Sequence, residues 1–265
     1  MTRSSRPILA ALTALVLAGG LSACGGQAAG QDGDALSQVD YVFDNALTVC
    51  SDIPYEPFEF RKENGDFTGF DVDLMKEMAD RFKVDLDMID VAFDDITSGK
   101  LLNEGKCDVA VSAMTITGER ARALDFSSPY FAASQVLITH KRSGITTSLD
   151  SIAGKRVGVQ ADTTGETYLR DFAPSDTEIV SYHSRDLQRA LANQAVDAIV
   201  LDNTAAGPVV DNNPGTRVAM EFNTGEQYGM AVRKDGNVPL LRKLNDTLTE
   251  MRDDGSYQKI YDKYF

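Results

Sequence analysis

Three stretches of the chain carry polar side chains just beyond the ends of short apolar runs. Arg120 follows Val109–Ala113 by way of two threonines, and its planar guanidinium can bind a carboxylate through two parallel hydrogen bonds. Asp202 follows Ala198–Leu201 and offers a carboxylate for a cation. Gln160–Gly165 leads from a strand into a helix, whose first backbone N–H groups can receive an anion. Together these groups complement the two charges of an α-amino acid.

Strand-like and helical patterns alternate along the chain, and their order predicts where these groups lie. The first set has strands at Leu47–Ser51, Leu86–Val91 and Val109–Ala113, with helices at Asp71–Phe82 and Ile96–Glu104. The second has strands at Arg156–Val159, Glu178–Tyr182 and Ala198–Leu201, with helices at Thr167–Phe172 and Asp186–Gln194. Each βαβαβ order predicts an α/β unit with a parallel sheet, and ligands of such sheets gather at the carboxyl ends of the strands.

Two further β-prone runs connect the sets. Ser134–His140 lies between them, and Gln227–Arg233 follows the second, before helical patterns at Leu240–Arg252 and Tyr257–Tyr264. We therefore expect two Rossmann-like lobes joined by a two-stranded hinge, with crossings near residues 136 and 228. This predicts lobe one at residues 46–136 plus 229–265 and lobe two at residues 137–228.

The first residues indicate export. Arg3 and Arg6 precede the apolar run Ile8–Leu17, which is shorter than the roughly 20 apolar residues that a membrane-spanning helix needs. Leu21–Cys24 resembles the bacterial lipobox, so we predict a signal peptide at residues 1–23 and lipidation of Cys24. A plain secretory signal is the alternative. Residues 24–45 begin with a Gly-rich polar tract and are expected to form a flexible tether.

The net charge, the cysteines and the histidines indicate which partners and cofactors are not expected. The net charge of −14 argues against nucleic-acid partners, which need basic surfaces. If Cys50 and Cys107 lie on level parallel strands, a three-residue offset separates them by roughly 10 Å, so we expect free thiols. No CxxC pair or histidine cluster indicates a metal or another cofactor, because His140 and His183 stand alone.

Six motifs carry a resemblance to a known family. The chain resembles the amino-acid-binding members of the bacterial extracellular solute-binding proteins, family three, which serve ABC importers. The resemblance covers Leu47–Phe265. Its motifs are Asp52–Phe60, Gly69–Leu74, Thr115–Arg120, Asp125–Tyr130, Gly154–Val159 and Met251–Tyr257. It implies the type II periplasmic-binding-protein fold, a monomer, and delivery of a captured amino acid to a membrane permease.

The resemblance also implies a role for each end of the amino acid. Arg120 would bind the α-carboxylate together with the backbone N–H groups of Thr115 and Thr164. Asp202 would bind the α-ammonium together with the Ala113 carbonyl and the Thr115 hydroxyl. Arg120 could otherwise be a surface cation, and Asp202 could otherwise cap a helix.

Four more positions match the part of the family site that faces the ligand side chain. Tyr55 and Phe93 match two aromatic walls, although core packing is their alternative. Asp52 and Gln160 match positions that contact the ligand side chain, although Asp52 could merely shape the turn at Pro54.

Ala113 stands where many relatives have Gly or Ser, and Asp162 occupies a turn position often held by Gly. Aspartate tolerates the left-handed conformation that this turn requires.

The charges near the side-chain end favour a basic ligand. Asp52, Asp94 and Asp95 lie near that end without a matched cation, so acidic amino acids are disfavoured. Arginine, lysine or ornithine would pair with Asp52 and stack between Tyr55 and Phe93. Glutamine is the alternative, because Asp52 can also accept an amide hydrogen bond. Asp94 and Asp95 are more simply expected to cap the following helix.

Two other classes of protein compete with a binding protein. Some relatives are cyclohexadienyl dehydratases, for which Asp52 or Glu166 would be the candidate acid. No paired acid and base is evident here, so we predict no enzyme. The chain could alternatively deliver its ligand to a chemosensory receptor. We expect an extracytoplasmic lipoprotein, held on the cell membrane through Cys24.

Overall fold

The computed structural model describes residues 39–265, whose strands and helices follow the apolar patterns of the sequence. The strands are β1 (Ala46–Ser51), β2 (Phe60–Arg61), β3 (Phe67–Thr68), β4 (Asp85–Asp90), β5 (Val109–Ala110), β6 (Leu124–Phe126), β7 (Phe131–His140), β8 (Arg156–Gln160), β9 (Glu178–Tyr182), β10 (Ala198–Asp202), β11 (Thr216–Tyr228) and β12 (Ala231–Arg233). The helices are α1 (Phe70–Phe82), α2 (Phe93–Thr97), α3 (Lys100–Asn103), α4 (Thr164–Phe172), α5 (Ser184–Ala192), α6 (Ala206–Asn212), α7 (Val238–Asp253) and α8 (Ser256–Tyr264).

The sheet of lobe one is built around β1, which is buried on both faces. Its side chains from Leu47 to Ser51 are all buried, as expected for a strand covered by helices on either side. Strands β4 and β5 flank β1 in parallel, and β12 and β6 extend the sheet in the order β4-β1-β5-β12-β6. Helix α1 packs its apolar face, which includes Leu74, Met75 and Met78, into the core. The parallel arrangement predicted for this set is confirmed.

The sheet of lobe two has the order β11-β7-β10-β8-β9. Strand β8 pairs in parallel with both β9 and β10, which confirms the second predicted parallel set. Strands β7 and β11 are antiparallel to each other, and β7 is antiparallel to β10. Helices α4 and α5 contact β8 and β10. The carboxyl ends of β8 and β10 consequently place Gln160 and Asp202 on the same side of lobe two.

The chain crosses between the sheets at two adjacent places. Phe131 pairs with Tyr228 at the start of β7 and the end of β11, and the Tyr130 N–H donates to the Tyr228 carbonyl over 2.9 Å. Strand β7 thus already belongs to the second sheet at Phe131, earlier than the crossing expected near residue 136. After Tyr228 the chain returns to the first sheet as β12. The lobe boundaries themselves stay a prediction.

Several predicted elements are shorter or interrupted. The helix expected over Ile96–Glu104 is two short helices, α2 and α3, separated at Gly99, whose φ of 73° lies in the left-handed region. The third strand ends at Ala110, and Ala113 has a φ of 42°. The run Gln227–Arg233 is divided between β11 and β12, since two residues between them carry the chain from one sheet to the other.

The prediction of free thiols at Cys50 and Cys107 is wrong, because the two cysteines form a disulfide with a Cα–Cα distance of 5.9 Å. The register assumed for the strands is present, since Cys50 lies opposite Ala110. The error lay in extending the strand back to Cys107. Strand β5 begins only at Val109, and Cys107 lies in the connection from α3, where the chain bends toward Cys50.

The start of the described chain lies against lobe one. Val39 and Tyr41 pack on the core of that lobe, and the Val42 N–H donates to the Asp108 carboxylate over 2.7 Å. These residues fall within the segment predicted as a tether. Cys24, the signal peptide and the Gly-rich tract lie outside the described residues. Within the described chain, no helix combines the length and the apolar character that crossing a membrane requires.

Candidate functional site

The carboxyl ends of strands from both lobes face one cleft. A cavity in this cleft is lined by Asp52, Tyr55, Phe93, Ser112, Gln135, Gln160, Thr163, Val200, Leu201 and Asp202. An adjoining, wider part of the cleft contains Arg120, Asp94, Asp162 and Thr164. The structure therefore brings most of the predicted site residues into one continuous space between the lobes.

Arg120 lies at one end of the cleft, on a 3₁₀ turn that follows the Thr115–Thr117 segment. Its Nη1 donates to the Thr115 carbonyl over 2.8 Å, and its Nη2 donates across the cleft to the Asp162 carbonyl over 2.9 Å. The Phe93 ring lies 5.2 Å from the guanidinium carbon. Burial lowers the pKa of Arg120 to about 10, while Asp202 and neighbouring acids oppose this shift. The side chain thus remains a cation at neutral pH.

Asp202 lies at the end of β10, facing lobe one. Its Oδ2 accepts hydrogen bonds from the Tyr55 hydroxyl of lobe one over 2.8 Å and from the Tyr228 hydroxyl over 2.7 Å. Its Oδ1 accepts from Gln135 Nε2. Burial, followed by the nearby charge of Glu226, raises the pKa of Asp202 to about 6. Asp202 is therefore a partly buried carboxylate at neutral pH, held by three side-chain donors.

Glu226, which the sequence patterns do not single out, contacts three residues beside the cleft. This carboxylate on β11 accepts the Thr115 hydroxyl of lobe one over 2.7 Å and the Thr164 hydroxyl of lobe two over 2.8 Å. Gln135 Nε2 also donates to it, over 3.1 Å. Glu226 thus connects the lobes beside the hinge. Its position depends on the pairing of β11 with β7, which a local sequence pattern does not reveal.

Asp52 marks the other end of the cleft, directly after β1. Its Oδ2 accepts Gln160 Nε2 from lobe two over 2.7 Å, and its Oδ1 accepts the Ser184 hydroxyl over 3.1 Å. Its backbone N–H donates to the Ser112 hydroxyl over 3.1 Å. Burial raises the pKa of Asp52, and the hydrogen bonds from Ser184 and Gln160 act in the opposite direction.

A second contact between the lobes lies beside Asp52. Arg185, at the start of α5, donates through Nη2 to the Ile53 carbonyl over 3.0 Å and to Asp90 Oδ2 over 2.7 Å. Ser184 and Arg185 thus extend the set of site residues at the Asp52 end beyond those identified from the sequence. They follow β9, and the helical pattern predicted from Asp186 began just after them.

The remaining predicted residues occupy different parts of the cleft. Tyr55 and Phe93 both line the cavity, whereas Ala113 is buried and its N–H donates to Asp71. The hydroxyls of Thr115 and Thr164 meet at Glu226 rather than at a cleft-facing charge.

The expectation that Asp94 or Asp95 caps a helix is wrong. Helix α2 begins at Phe93 with Ala92 as its N-cap, so both aspartates lie in its first turn and no side-chain cap forms. Asp95 instead pairs with Lys100 over 2.8 Å, and Asp94 lines the wider part of the cleft. Asp162 adopts the predicted left-handed conformation, with a φ of 61°.

Among residues 39–265, no group of histidine, cysteine and acidic side chains is arranged to hold a metal ion. What the cleft does offer is one buried cation, Arg120, and two carboxylates, the buried Asp52 and the partly buried Asp202. Charged groups of both signs at separate positions can bind a small molecule that carries both charges.

The chain belongs to the bacterial extracellular solute-binding proteins, family 3, whose sequence profile matches residues 47–265. It is 35% identical over 263 residues to a probable histidine-binding protein of Neisseria gonorrhoeae, covering 97% of this chain and 94% of that protein. It is 36% identical over 219 residues to the ABC transporter arginine-binding protein 1 of Escherichia coli K12, covering 80% and 87%.

The fold is the type II periplasmic-binding-protein fold. A solved structure of an ancestral arginine-binding protein bound to glutamine superimposes with a TM-score of 0.79 at 38% identity, covering 84% of this chain and 99% of that one. The family and the fold expected from the sequence motifs are both confirmed.

Proposed function

We propose that this chain captures a polar L-amino acid by closure of its two lobes and delivers it to the permease of an ABC importer. The observation that carries this proposal is the placement of opposite charges on opposite lobes. Arg120 comes from lobe one and is buried, Asp202 comes from lobe two and is partly buried, and both line the same cleft. An α-amino acid satisfies both charges at once only when the lobes meet.

The proposed contacts assign each charge of the ligand to one group of residues. Arg120 binds the α-carboxylate, with the backbone N–H groups of Thr115 and Thr164. Asp202 binds the α-ammonium, with the Ala113 carbonyl and the Thr115 hydroxyl. In the structure the Tyr55 hydroxyl donates to Asp202. An ammonium donor would add a second, opposite charge, so its hydrogen bond to Asp202 would also be an ion pair, which the Tyr55 hydroxyl cannot form.

Asp52 selects the side chain of the ligand in this proposal. Its carboxylate lies in the cavity with the two aromatic rings of Tyr55 and Phe93. A guanidinium, ammonium or imidazolium group would pair with Asp52 and stack on these rings. The names of the relatives, which bind histidine or arginine, support a basic ligand. Glutamine is the runner-up, because Asp52 already accepts an amide hydrogen bond from Gln160.

A thermal-shift screen of amino acids tests the proposal. A ligand that binds only the native state raises its stability by RT ln(1 + [L]/Kd), so binders shift the melting temperature upward. We expect arginine, lysine, ornithine or histidine to give the largest shift, glutamine a smaller one and glutamate none. Agmatine, which keeps the guanidinium of arginine but lacks its carboxylate, is the matched control. Equal shifts with agmatine and arginine would refute the role of Arg120.

The proposal includes no catalytic step, and the relatives described above are named as binding proteins. A cyclohexadienyl dehydratase is the second candidate, because burial raises the pKa of Asp202 to about 6 and such an acid can donate a proton. Incubation with prephenate or arogenate distinguishes the two functions. We expect no product, and turnover that is lost in Asp202→Asn would establish the enzyme.

We also propose that Cys24 anchors the protein to the outer face of the cell membrane, where it acts as a monomer. The lipobox-like Leu21–Cys24 segment supports this anchor. The intramolecular disulfide supports export, because such bonds persist in oxidising compartments. Replacement of Cys24 by Ser is expected to move the protein from the membrane fraction to the soluble fraction. A lipoprotein of this kind could also deliver its ligand to a chemosensory receptor.

A further inference from the structure

Two carboxyl side chains that the proposed contacts do not use, Glu59 and Asp71, lie behind the lobe-one side of the cleft. Both are fully buried, and among the described residues no Lys or Arg forms an ion pair with either. The segments that carry them meet at Gly69, where a Cβ atom would lie 2.0 Å from the Phe58 carbonyl oxygen, so only glycine fits. The Asp71 N–H then donates to that carbonyl over 2.9 Å.

The hydrogen bonds of this pair leave one oxygen of each carboxyl group without a donor. Glu59 Oε1 accepts the Ser112 hydroxyl over 2.6 Å. Asp71 Oδ2 accepts the Ala113 N–H and the Tyr130 hydroxyl, each over 2.8 Å. Glu59 Oε2 and Asp71 Oδ1 are buried and have no donor, and the two carboxyl groups accept hydrogen bonds from adjacent residues, Ser112 and Ala113. Two ionised carboxylates in this position would repel without compensation, whereas a single proton between them satisfies both oxygens.

We propose that Glu59 and Asp71 share one proton, carried by Glu59, and that this acid pair positions the lobe-one side of the ligand site. Asp71 is the ionised member, because two donors already point to its Oδ2 and it lies in the first turn of α1, where a negative charge is favourable. Glu59 accepts only one hydrogen bond, so it keeps the proton and donates a hydrogen bond to Asp71. Burial, together with the neighbouring acid, raises the pKa of Glu59 well above its usual value.

Hydrogen bonds connect the acid pair to two parts of the proposed site on lobe one, Asp52 and Ala113. Ser112 donates to Glu59 and accepts the backbone N–H of Asp52, so it connects the pair to the side-chain end. Asp71 holds the N–H of Ala113, whose φ of 42° is unusual for a residue with a side chain. That conformation sets the direction of the Ala113 carbonyl. Glu59 and Asp71 are therefore positioning residues that do not touch the ligand.

The other titratable groups that the structure describes near the pair supply no positive charge that could stabilise two ionised carboxylates. Asp52 is the other acid near Glu59, and it disfavours a second negative charge. The phenolic hydroxyls near the pair belong to Tyr55, Tyr130 and Tyr257, and burial raises the pKa of each of them. These three tyrosines stay neutral through the range in which the pair titrates.

The shared proton predicts a specific dependence of stability on pH. The unfolded chain releases this proton near the usual pKa of glutamic acid, whereas the native state retains it. Native stability therefore falls as the pH rises above about 4.5, by up to about tenfold in the folding equilibrium constant per pH unit. The fall ends at the raised native pKa of the pair. Other groups also titrate in this range, so the comparison of variants must isolate the pair.

Chemical denaturation of Glu59→Gln, Asp71→Asn and Glu63→Gln between pH 5 and 8.5 tests the proposal. Gln at position 59 donates permanently to Asp71, so we expect near-wild-type stability at pH 5 and a shallower decline at higher pH. Asn at position 71 moves the charge onto Glu59, and we expect a folding constant at least about tenfold lower at pH 7. Glu63→Gln, an exposed control on the β2–β3 hairpin, should follow the wild type. A wild-type pH slope in Glu59→Gln, or equal destabilisation by both amides, would overturn the proposal.

Titration with L-arginine tests the positioning role, and this arm rests on the proposed function. We expect Glu59→Gln to bind within about threefold of the wild type, and folded Asp71→Asn to bind at least about tenfold more weakly. Unchanged affinity in Asp71→Asn would overturn the positioning role. If the wild type binds no amino acid, the proposed function fails, while the denaturation experiment still decides whether the proton is shared.

Discussion

The two ends of the cleft hold their charged groups in different ways. At one end, Arg120 is bound by the backbone carbonyls of Thr115 and Asp162. At the other, Asp52 is bound by the side chains of Gln160 and Ser184. Backbone partners are present whatever side chain the position carries, whereas side-chain partners change with a single substitution. We infer that the Arg120 end serves what all α-amino acids share, and that the Asp52 end serves the choice among them.

The largest effect is expected at the Arg120 end. Arg120→Ala should weaken the binding of every amino acid by about 100-fold or more, because loss of a buried charge partner costs about 3 kcal/mol or more. Isothermal titration calorimetry measures this change, and circular dichroism should show that unfolding stays cooperative. Arg122→Ala is the matched control, since that side chain is 75% exposed two residues away. A loss restricted to basic ligands would reverse the roles assigned to the two ends.

An intermediate effect is expected from pH. Burial raises the pKa of Asp202 to about 6, and only its ionised form attracts an ammonium group. Affinity should therefore fall as the pH drops below about 6, approaching tenfold per pH unit, for basic and neutral ligands alike.

The contribution of Asp202 to the stability of the ligand-free protein has the opposite pH dependence. A raised native pKa means that native Asp202 holds a proton between about pH 3.8 and 6, so its contribution to stability falls as the pH rises through that window.

Calorimetry with glutamine between pH 5 and 8 measures this dependence without a titrating ligand side chain. Asp202→Asn is the control, and its weaker binding should lack the change near pH 6. An affinity that stays constant down to pH 5 in the wild type would remove Asp202 from the ammonium site.

The smallest effect is expected at the Asp52 end, and it should depend on the ligand. Asp52→Asn should weaken arginine and lysine binding by about 1 kcal/mol, roughly fivefold, because asparagine keeps a side-chain acceptor at this position and loses only the charge assistance of the hydrogen bond. Glutamine binding should change less than about twofold. Asp87→Asn, on the exposed face of β4, controls for the change in net charge. Equal losses for arginine and glutamine would show that Asp52 supports the cleft without selecting the side chain.

The sequence predicts the lobes better than it predicts the contacts between them. Local periodicity located all six strands of the two parallel sets, because apolar runs such as Ala198–Leu201 are buried on both faces. Gln135 and Glu226 escaped notice because their place in the cleft depends on the register between β7 and β11, which are distant in sequence. Asp52 and Asp202 were identified because each directly follows a buried strand. Their proposed roles stay predictions.

The disulfide escaped prediction for a related reason. The offset between Cys50 and Ala110 follows from strand pairing, but the bend of the chain before Val109 does not. Cys107 approaches Cys50 from the connection between α3 and β5, which strand periodicity does not describe. The helix break at Gly99 is comparable, since a regular pattern of apolar residues spans both α2 and α3.

The cross-link between Cys50 and Cys107 has a consequence for how the protein is produced. Cys50 lies two residues before Asp52, so the bond restrains the strand that presents this carboxylate, while lobe two contains no described cysteine. A bond closing a loop of this size typically contributes about 3 to 4 kcal/mol to stability. Material made in a reducing cytosol would therefore carry a weakened first lobe beside an unaffected second one. Ligand preferences measured on such material would be altered first at the Asp52 end.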